Sequence, residues 1–393
     1  MKSRSLAFAL VSVLVLTVLT GCWDNEELTE YGFVQAVAID QTPDGKFQLT
    51  THFYSPTGGA EMRENAQQSQ NGINIRTRGH TIFEAVRDIP IRFGRKAKWD
   101  HMRVILIGER VLQQAGIGEI LDYFSRDHEP RGTILPLVAE GTAGSYLEIN
   151  PFIEHTIGQQ LKRMETDGAD YSAKTSKIPL FELAIQMKSA TGISTIPYIH
   201  HDDSKKDVVI SGVALLKDGK LVRTIMTPEE TQGLVMLTNN YKFGVVEYPC
   251  PNETGSRQSA GESFEVLSLV TKLKSRIERD EITVNVSTRV EGTVGELVCT
   301  EITNFGEEQQ FEERIRKQIE KQLRKTIAVL QQHRLDAIGI GNQMYRKHPA
   351  LWKTWKSDWG DRFADIRFQI AVDVRVLNTG MNVGTPFGRK DDK

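Results

Sequence analysis

The chain has 393 residues, of which 39% are hydrophobic and 25% are charged. Its 49 lysine and arginine residues nearly balance its 51 aspartate and glutamate residues, and the formal charge is −2. These values exclude a disordered, collagen-like or disulfide-dense chain, and the balanced charge gives no reason to expect nucleic acid as a partner. At about 150 residues per domain, the length predicts two or three domains.

The amino terminus has the pattern of a bacterial lipoprotein signal. Two basic residues precede the uncharged run Leu6–Thr20, which is shorter than the roughly 20 helical residues that span a bilayer. The run ends at Gly21-Cys22, and small residues before a cysteine resemble the lipobox, where the thiol receives diacylglycerol. We predict a signal peptide over 1–21 and a mature chain that begins at Cys22 with palmitate-type acyl chains. An ordinary secretory signal with a chance cysteine and an uncleaved anchor helix are the alternatives.

Two further cysteines, Cys250 and Cys299, lie beyond this signal. In an extracytoplasmic chain they could pair and close a loop of about 50 residues, a constraint worth roughly 4 kcal/mol in the chain-entropy model. They can also remain free thiols, so the sequence alone leaves the disulfide open.

Strands and helices alternate in the N-terminal region, 22–200, which we expect to hold one or two α+β domains. The apolar run Phe33–Ile39, followed by the turn signal Asp44-Gly45, predicts a buried strand and a β-hairpin. The pattern then predicts a helix begun by the capping pair Thr81 and Glu84 and ended by Pro90, and strands at Arg103–Ile107 and Thr133–Ala139.

A hydrophilic run at 201–207 is predicted to be a linker between two domains. Beyond it, apolar runs on both sides of Asp218-Gly219 predict a second hairpin. We assign 208–385 to a C-terminal α+β domain and 386–393 to a tail.

The longest predicted helix occupies 307–335, after a capping pair at Asn304 and Glu307. Mixed charges on its outer side favour a solvated face over a partner surface. The strand Ile366–Val376, apolar at every second residue, is predicted to lie under this helix. The expected fold is therefore α+β and multi-domain, with helices packed on mixed sheets and a long C-terminal helix against an antiparallel sheet. The apolar stripe of the helix is Phe311, Ile315, Ile319, Leu323, Ile327 and Leu330, and its expected ion pairs are Glu312–Arg316, Glu313–Lys317 and Glu320–Arg324.

Motifs of catalysis and nucleotide binding are missing from the sequence: GxSxG, Walker A, GxGxxG, HExxH and CxxC. The run His200–Asp203 offers metal-ligating side chains, but neighbours on an extended segment point to opposite sides, which favours a solvated linker. His101 and His128 could act as acid–base groups, although structural roles are favoured. We predict no catalytic residues, no cofactor and no metal site.

Trp352, Trp355 and Trp359 are spaced to lie on one helical face, among basic residues. Such a cluster could form an interface with a partner or with lipid headgroups. Packing in the core is the alternative, and it is favoured.

Several short segments occur in an order that is typical of one protein family. They are Gly21–Asp24, Glu26–Leu28, the first strand ending at Asp40, Gly79–Ala85, His101–Gly108, Phe124–Arg131, Gly212–Leu216, the long helix leading into Asp336–Gly341, and Trp352–Trp359. This ordered set resembles the C-subunit lipoproteins of nutrient germinant receptors in endospore-forming bacteria, the Ger(x)C family. The resemblance covers nearly the whole mature chain, apart from 55–71 and the tail after Val383.

The resemblance implies an α+β protein of several domains, anchored to the outer face of the spore's inner membrane. It also implies two integral-membrane partners, a channel-like A subunit and a transporter-like B subunit, in a complex that senses nutrients and triggers germination. Cys22 is the functional residue that carries over, and the family offers no catalytic residues.

Two other functions are compatible with these features. A lipoprotein that delivers a small nutrient to a transporter needs two lobes around a cleft, which a boundary near His201 permits. An extracytoplasmic hydrolase would need His101 or His128 as its acid–base group.

Overall fold

The computed structural model describes residue 4 and residues 27–55, 72–202, 207–250 and 261–380. Apart from residue 4, the predicted signal peptide lies outside the described residues, as do Cys22 and the predicted tail. Within the described ranges, no helix has both the length and the apolar composition needed to cross a bilayer. The chain forms two β-sheets with helices packed on them, which confirms the predicted α+β class.

The first sheet contains nine strands. They are β1 (Tyr31–Gln41), β2 (Phe47–Tyr54), β3 (Gly72–Gly79), β4 (Lys96–Lys98), β5 (Val104–Gly108), β6 (Leu135–Ala139), β7 (Ile193–His201), β8 (Val208–Lys217) and β9 (Lys220–Met226). The strand order is β3-β2-β1-β5-β6-β7-β8-β9, and β4 pairs with the start of β1. The central strands β1, β5, β6 and β7 are parallel, and antiparallel strands flank them. The predicted hairpin at Asp44-Gly45 joins β1 to β2.

Helices cover both faces of this sheet, which explains why its central strands are continuous apolar runs. The helices are α1 (Ile82–Arg87), α2 (Ile89–Phe93), α3 (Glu109–Gln114), α4 (Ile117–Arg126), α5 (Ala143–Tyr146), α6 (Ile157–Tyr171) and α7 (Leu180–Met187). One core contains side chains of α1 to α4 and α7, and a separate core contains side chains of α5 and α6. Alternate residues of β5, such as Ile105 and Leu106, enter the two cores.

The predicted linker at 201–207 joins two strands of the same sheet. His201 at the end of β7 pairs with Val208 at the start of β8, and β9 continues the sheet. The hairpin predicted at Asp218-Gly219 is confirmed as β8 and β9, but it belongs to the first sheet and not to the C-terminal layer. The split of the chain into domains at this linker stays a prediction.

The second sheet has the order β10-β11-β12-β13. Its strands are β10 (Val245–Pro249), β11 (Gly261–Glu278), β12 (Glu281–Glu296) and β13 (Arg367–Asn378), and its helices are α8 (Pro228–Leu237), α9 (Phe305–Gln332), α10 (Ile340–Lys347), α11 (Pro349–Trp355) and α12 (Trp359–Ala364). Short 3-10 turns occur at Leu28–Glu30 and Lys356–Asp358. The first three strands are antiparallel, as predicted, whereas β12 and β13 pair in parallel. The sheet is therefore mixed, because the helical crossover through α9 brings the chain back to the end of the sheet where β12 begins.

The long helix α9 packs as predicted. Asn304 caps it by accepting a 3.1 Å hydrogen bond from the Glu307 N–H, and every residue of the predicted apolar stripe is buried. Two of the three expected ion pairs form, Glu313–Lys317 at 3.4 Å and Glu320–Arg324 at 2.7 Å. The third does not: Arg316 binds Glu313 and Glu320, and Glu312 instead accepts the N–H of Val376 on β13 at 2.8 Å. Glu312 thereby satisfies a donor on the edge strand of the sheet.

One hydrophobic core runs from the first sheet to the second. It contains Val213 and Leu215 of β8, Met226 of β9, residues of α8, and the buried stripe of α9. Helix α8 begins at a complete capping box, in which Thr227 and Glu230 accept each other's backbone N–H groups. The two halves of the chain are therefore held together by continuous apolar packing.

Candidate functional site

The structure joins Cys250 and Cys299 in a disulfide across 49 residues of sequence, with Cα atoms 6.0 Å apart. That spacing lies in the ordinary range for disulfides. Cys250 directly follows β10, and Cys299 lies in the segment that connects β12 to α9. The bond would therefore link the end of β10 to that connecting segment. Formation of this bond in the mature protein stays a prediction.

Replacing both cysteines with alanine is expected to lower the free energy of unfolding by about 4 kcal/mol, because the open chain gains loop entropy when it unfolds. Alkylation of the unreduced, denatured protein followed by intact mass checks the bond itself. Two alkyl groups added without reduction would contradict the pairing.

A buried carboxylate, Glu262 at the start of β11, lies beside the disulfide, and no sequence motif predicted its role. Its Oε1 accepts N–H groups of Val298 at 3.2 Å, Cys299 at 2.9 Å and Thr300 at 2.5 Å. Its Oε2 accepts the hydroxyl groups of Thr300, at 2.6 Å, and Tyr248. Burial raises the pKa of Glu262, but these hydrogen bonds outweigh burial and leave its pKa below the ordinary value. Glu262 therefore fixes the segment that carries Cys299.

Three potential metal-ligating atoms lie together here, on Cys250, Cys299 and Glu262, within 4.8 Å of one another. Both sulfur atoms are joined in the disulfide, and both carboxylate oxygens already accept hydrogen bonds. This group therefore does not fit a metal centre in the oxidised protein, since thiolates and free oxygen lone pairs are the usual ligands.

The three tryptophans are buried in the core, which is the packing that the sequence favoured over an interface. Trp352, Trp355 and Trp359 expose 4%, 3% and 6% of their surface. The Trp352 and Trp359 rings meet edge to face at 5.2 Å, and the Arg362 guanidinium lies 4.9 Å from the Trp355 ring centre. The predicted single helical face is divided, because Trp352 and Trp355 lie on α11 whereas Trp359 begins α12 after the turn at Lys356–Asp358.

Trp359 also belongs to a polar cluster around Asp336. The Asp336 carboxylate accepts N–H groups of Ile340 at 3.0 Å and Gly341 at 2.5 Å, at the start of α10, and the indole N–H of Trp359 at 3.0 Å. Burial raises the pKa of Asp336 above its ordinary value, although these three donors oppose the rise. A Cβ atom at Gly341 would lie 2.6 Å from the Trp359 indole, so glycine permits this close approach. The segment Asp336–Gly341 and the tryptophan segment thus form one structural unit.

The histidines considered for catalysis differ in their surroundings. His101 is half-exposed beside Asp100, and the His128 side chain is 93% exposed beside Asp127. His200 shares a 2.9 Å hydrogen bond between Nε2 and the Ser211 hydroxyl, and its Nδ1 contacts the main-chain oxygen of His201 at 2.9 Å. Because Nδ1 faces a carbonyl and not a carboxylate, this contact differs from a Ser-His-acid triad. The half-buried His200 belongs to β7 and not to a solvated linker.

A cleft of about 480 Å³ lies between the two halves of the chain, lined by residues of α7, α8, β11 and the segment 336–343. Most of the amide side chains that line the cleft already have partners. Gln186 accepts the Thr195 N–H at 3.0 Å, and Asn239 donates to the Thr271 carbonyl at 2.9 Å and accepts the Thr271 N–H at 2.6 Å. Within the described part of the chain, the buried Ser176 Oγ and Gln343 Oε1 have no hydrogen-bond partner. The cleft therefore has the size of a ligand site but few uncommitted polar groups.

Comparison with known proteins identifies relatives over both halves of the chain. Residues 24–201 match the family described as "Spore germination protein N-terminal domain", and residues 211–380 match "Spore germination B3/ GerAC like, C-terminal". Spore germination protein B3 of Bacillus subtilis (strain 168) is 25% identical over 377 residues, which cover 94% of this chain and 97% of that protein. Spore germination protein KC of the same organism is 22% identical over 401 residues, which cover 96% and 97%.

A solved structure shares the fold. "Crystal Structure of the GerBC protein" aligns with a TM-score of 0.53 and 23% identity, covering 90% of this chain and all of that chain. The order of motifs in the sequence, the two family matches and this structural likeness agree along the chain. The chain therefore belongs to the Ger(x)C family, whose members are spore germination proteins.

Proposed function

We propose that this protein is a lipid-anchored, non-enzymatic subunit of a nutrient germinant receptor, and that it acts with integral-membrane A and B subunits to trigger germination. The observation that carries the proposal is the family match over both halves of the chain, residues 24–201 and 211–380. The lipobox at Cys22 supports the anchor, on the extracytoplasmic face of the spore inner membrane.

The anchor would act by confinement. A diacylglyceryl group supplies two acyl chains, and two chains hold a protein on a bilayer far longer than one. Confinement to the membrane raises the effective concentration of the ectodomain around membrane-embedded partners, so weak contacts suffice for assembly. One feature supports a non-enzymatic role: His200 shares a hydrogen bond with the Ser211 hydroxyl, but its Nδ1 meets a carbonyl and not a carboxylate.

The alternative, a solute-binding lipoprotein, would close two lobes on its ligand. The cleft between the halves supplies a space, but Val213, Met226, α8 and α9 share one core across it. Opening and closing would break those apolar contacts, which disfavours a hinge. We therefore retain the receptor subunit as the function that these features support.

Replacing Cys22 with alanine tests the proposal. We expect loss of palmitate labelling, release of the protein from spore membranes, and failure to germinate with the nutrients that the parent strain senses. An immunoblot of whole spores shows that the variant accumulates, and a tagged wild-type chain purified from the same membranes should carry the two integral-membrane subunits. A variant that is unlabelled yet germinates normally, or a purification without membrane partners, would overturn the proposal.

A further inference from the structure

The short strand β4 and helix α2 lie beside the start of β1, close to the first described residues of the amino-terminal range. Tyr31, at the start of β1, is paired with Lys96, and Phe33 is paired with Lys98. The ammonium groups of Lys96 and Lys98 lie 5.9 and 5.4 Å from the Tyr31 ring centre. The segment 89–98 is therefore fixed beside the first residues of the fold.

The distance from this segment to the proposed anchor is short. Five Cα-to-Cα steps separate Cys22 from Glu27, the first residue of the described amino-terminal range. At no more than about 3.6 Å per residue, Glu27 lies within roughly 18 Å of the Cα of Cys22. A lipid on Cys22 therefore keeps the amino end of β1 close to the membrane surface.

Apolar side chains project from the same end of the molecule. Helix α2 packs inward through Ile89, which is fully buried, and Phe93, whose ring stacks on Phe53 at 4.4 Å. Between them, Ile91 is 82% exposed, and Leu28 is 75% exposed. A rigid turn of helix thus presents a bulky aliphatic group that no packing within the chain requires.

The charge around Ile91 is positive, although the whole chain has a formal charge of −2. The stretch 87–98 contains five basic residues and one acidic residue, Asp88. Lys98 is paired with Glu129 at 2.7 Å, and the side chains of Arg92, Arg95 and Lys96 are exposed. The acidic residues Asp24, Glu26, Glu27 and Glu30 lie in the sequence between the anchor and β1, so the excess of cations belongs to the stretch 87–98 alone.

We propose that this anchor-side surface, formed by Leu28, Ile91, Arg92, Arg95 and Lys96, lies on the anionic headgroups of the membrane that holds the lipid. The arginines and the lysine contact phosphate groups, and Ile91 enters the boundary between headgroups and acyl chains. The inference rests on the proposed lipid anchor. This contact with the headgroups orients the ectodomain, with the amino end of β1 facing the bilayer.

The test uses the mature, diacylated chain in phosphatidylcholine vesicles with and without phosphatidylglycerol. A bimane label replaces Ile91 in one variant (Ile91→Cys) and Ile153 in the control (Ile153→Cys). Ile153 is 92% exposed and precedes α6, which packs on the opposite face of the first sheet from α2. We expect spin-labelled phospholipid to quench the label at 91 but not at 153, and phosphatidylglycerol to strengthen the quenching.

Charge reversal completes the test. Arg92→Glu with Arg95→Glu should abolish the gain from phosphatidylglycerol, whereas Arg346→Glu with Lys347→Glu, exposed on α10, changes the total charge equally and should leave the gain intact. Equal quenching at 91 and 153 in a vesicle-bound chain would overturn the orientation and leave the anchor standing. A chain whose intact mass shows no diacylglyceryl group would overturn both.

Discussion

Replacing Glu262 with leucine is expected to lower the free energy of unfolding by about 3–5 kcal/mol. Leucine fills a similar volume but accepts no hydrogen bond, so the N–H groups of Val298, Cys299 and Thr300 lose their acceptor. The Arg314 guanidinium, 3.9 Å from the carboxylate, also loses its counter-charge. Urea unfolding followed by circular dichroism measures the change.

Glutamine at this position should cost less than leucine, because one amide oxygen can keep the three N–H groups while its NH₂ donates to the Tyr248 and Thr300 hydroxyls. The pKa of Glu262 lies below its ordinary value of 4.5 in the folded protein. The stabilisation by its charge is therefore fully present above that value and is lost as the pH falls through the lowered folded pKa. The stability difference between wild type and the glutamine variant should shrink in the same range.

Glu265→Leu is the matched control for this residue, since Glu265 lies on the same strand and is exposed. We expect it to change stability by no more than about 0.5 kcal/mol. Equal effects at 262 and 265 would show that the hydrogen bonds to Glu262 contribute little.

Replacing Trp359 with alanine is expected to lower the free energy of unfolding by about 3–5 kcal/mol, because it empties a buried site and leaves the Asp336 carboxylate without one of its three donors. Phenylalanine should cost less, about 1–3 kcal/mol, since it restores most of the ring but not the indole N–H. Thermal unfolding of the isolated chain measures both.

Leu351→Ala, on the neighbouring helix α11, controls for the loss of apolar side chain, because Leu351 is 38% exposed. We expect a change below about 1 kcal/mol there. If Trp359→Ala left the isolated chain as stable as wild type and weakened only its capture of membrane partners, the core assignment of the tryptophans would be wrong.

Local patterns were sufficient to predict the helices and strands in which apolar residues recur at a regular spacing. The apolar stripe of α9, the hairpin at Asp44-Gly45 and the cap of α1 at Thr81 are all present as expected. Strand β11 was missed, because a β-bulge between Val266 and Ser268 shifts the alternation of its apolar residues. The parallel pairing of β12 with β13 was missed as well, because pairing partners far apart in sequence carry no local signal.

The polar sites also differ in whether a local sequence pattern could predict them. The lipobox at Cys22 is a linear motif, so the sequence predicts its modification without any fold. The roles of Glu262 and Asp336 depend on donors brought from residues up to 38 and 23 positions away. The sequence around an acidic residue does not show whether N–H groups of distant segments will hydrogen-bond to its carboxylate in the folded chain.

Local sequence patterns were enough to predict a lipoprotein signal, the α+β class, the long amphipathic helix and the family. Tertiary packing set the burial of the tryptophans, the approach of Cys250 to Cys299, and the pairing of the strands on both sides of 201–207 within one sheet. This difference arises because the spacing of apolar residues and the capping of helices depend on residues within one turn or one strand. Burial, pairing and buried hydrogen bonds depend on contacts that exist only after distant segments have packed.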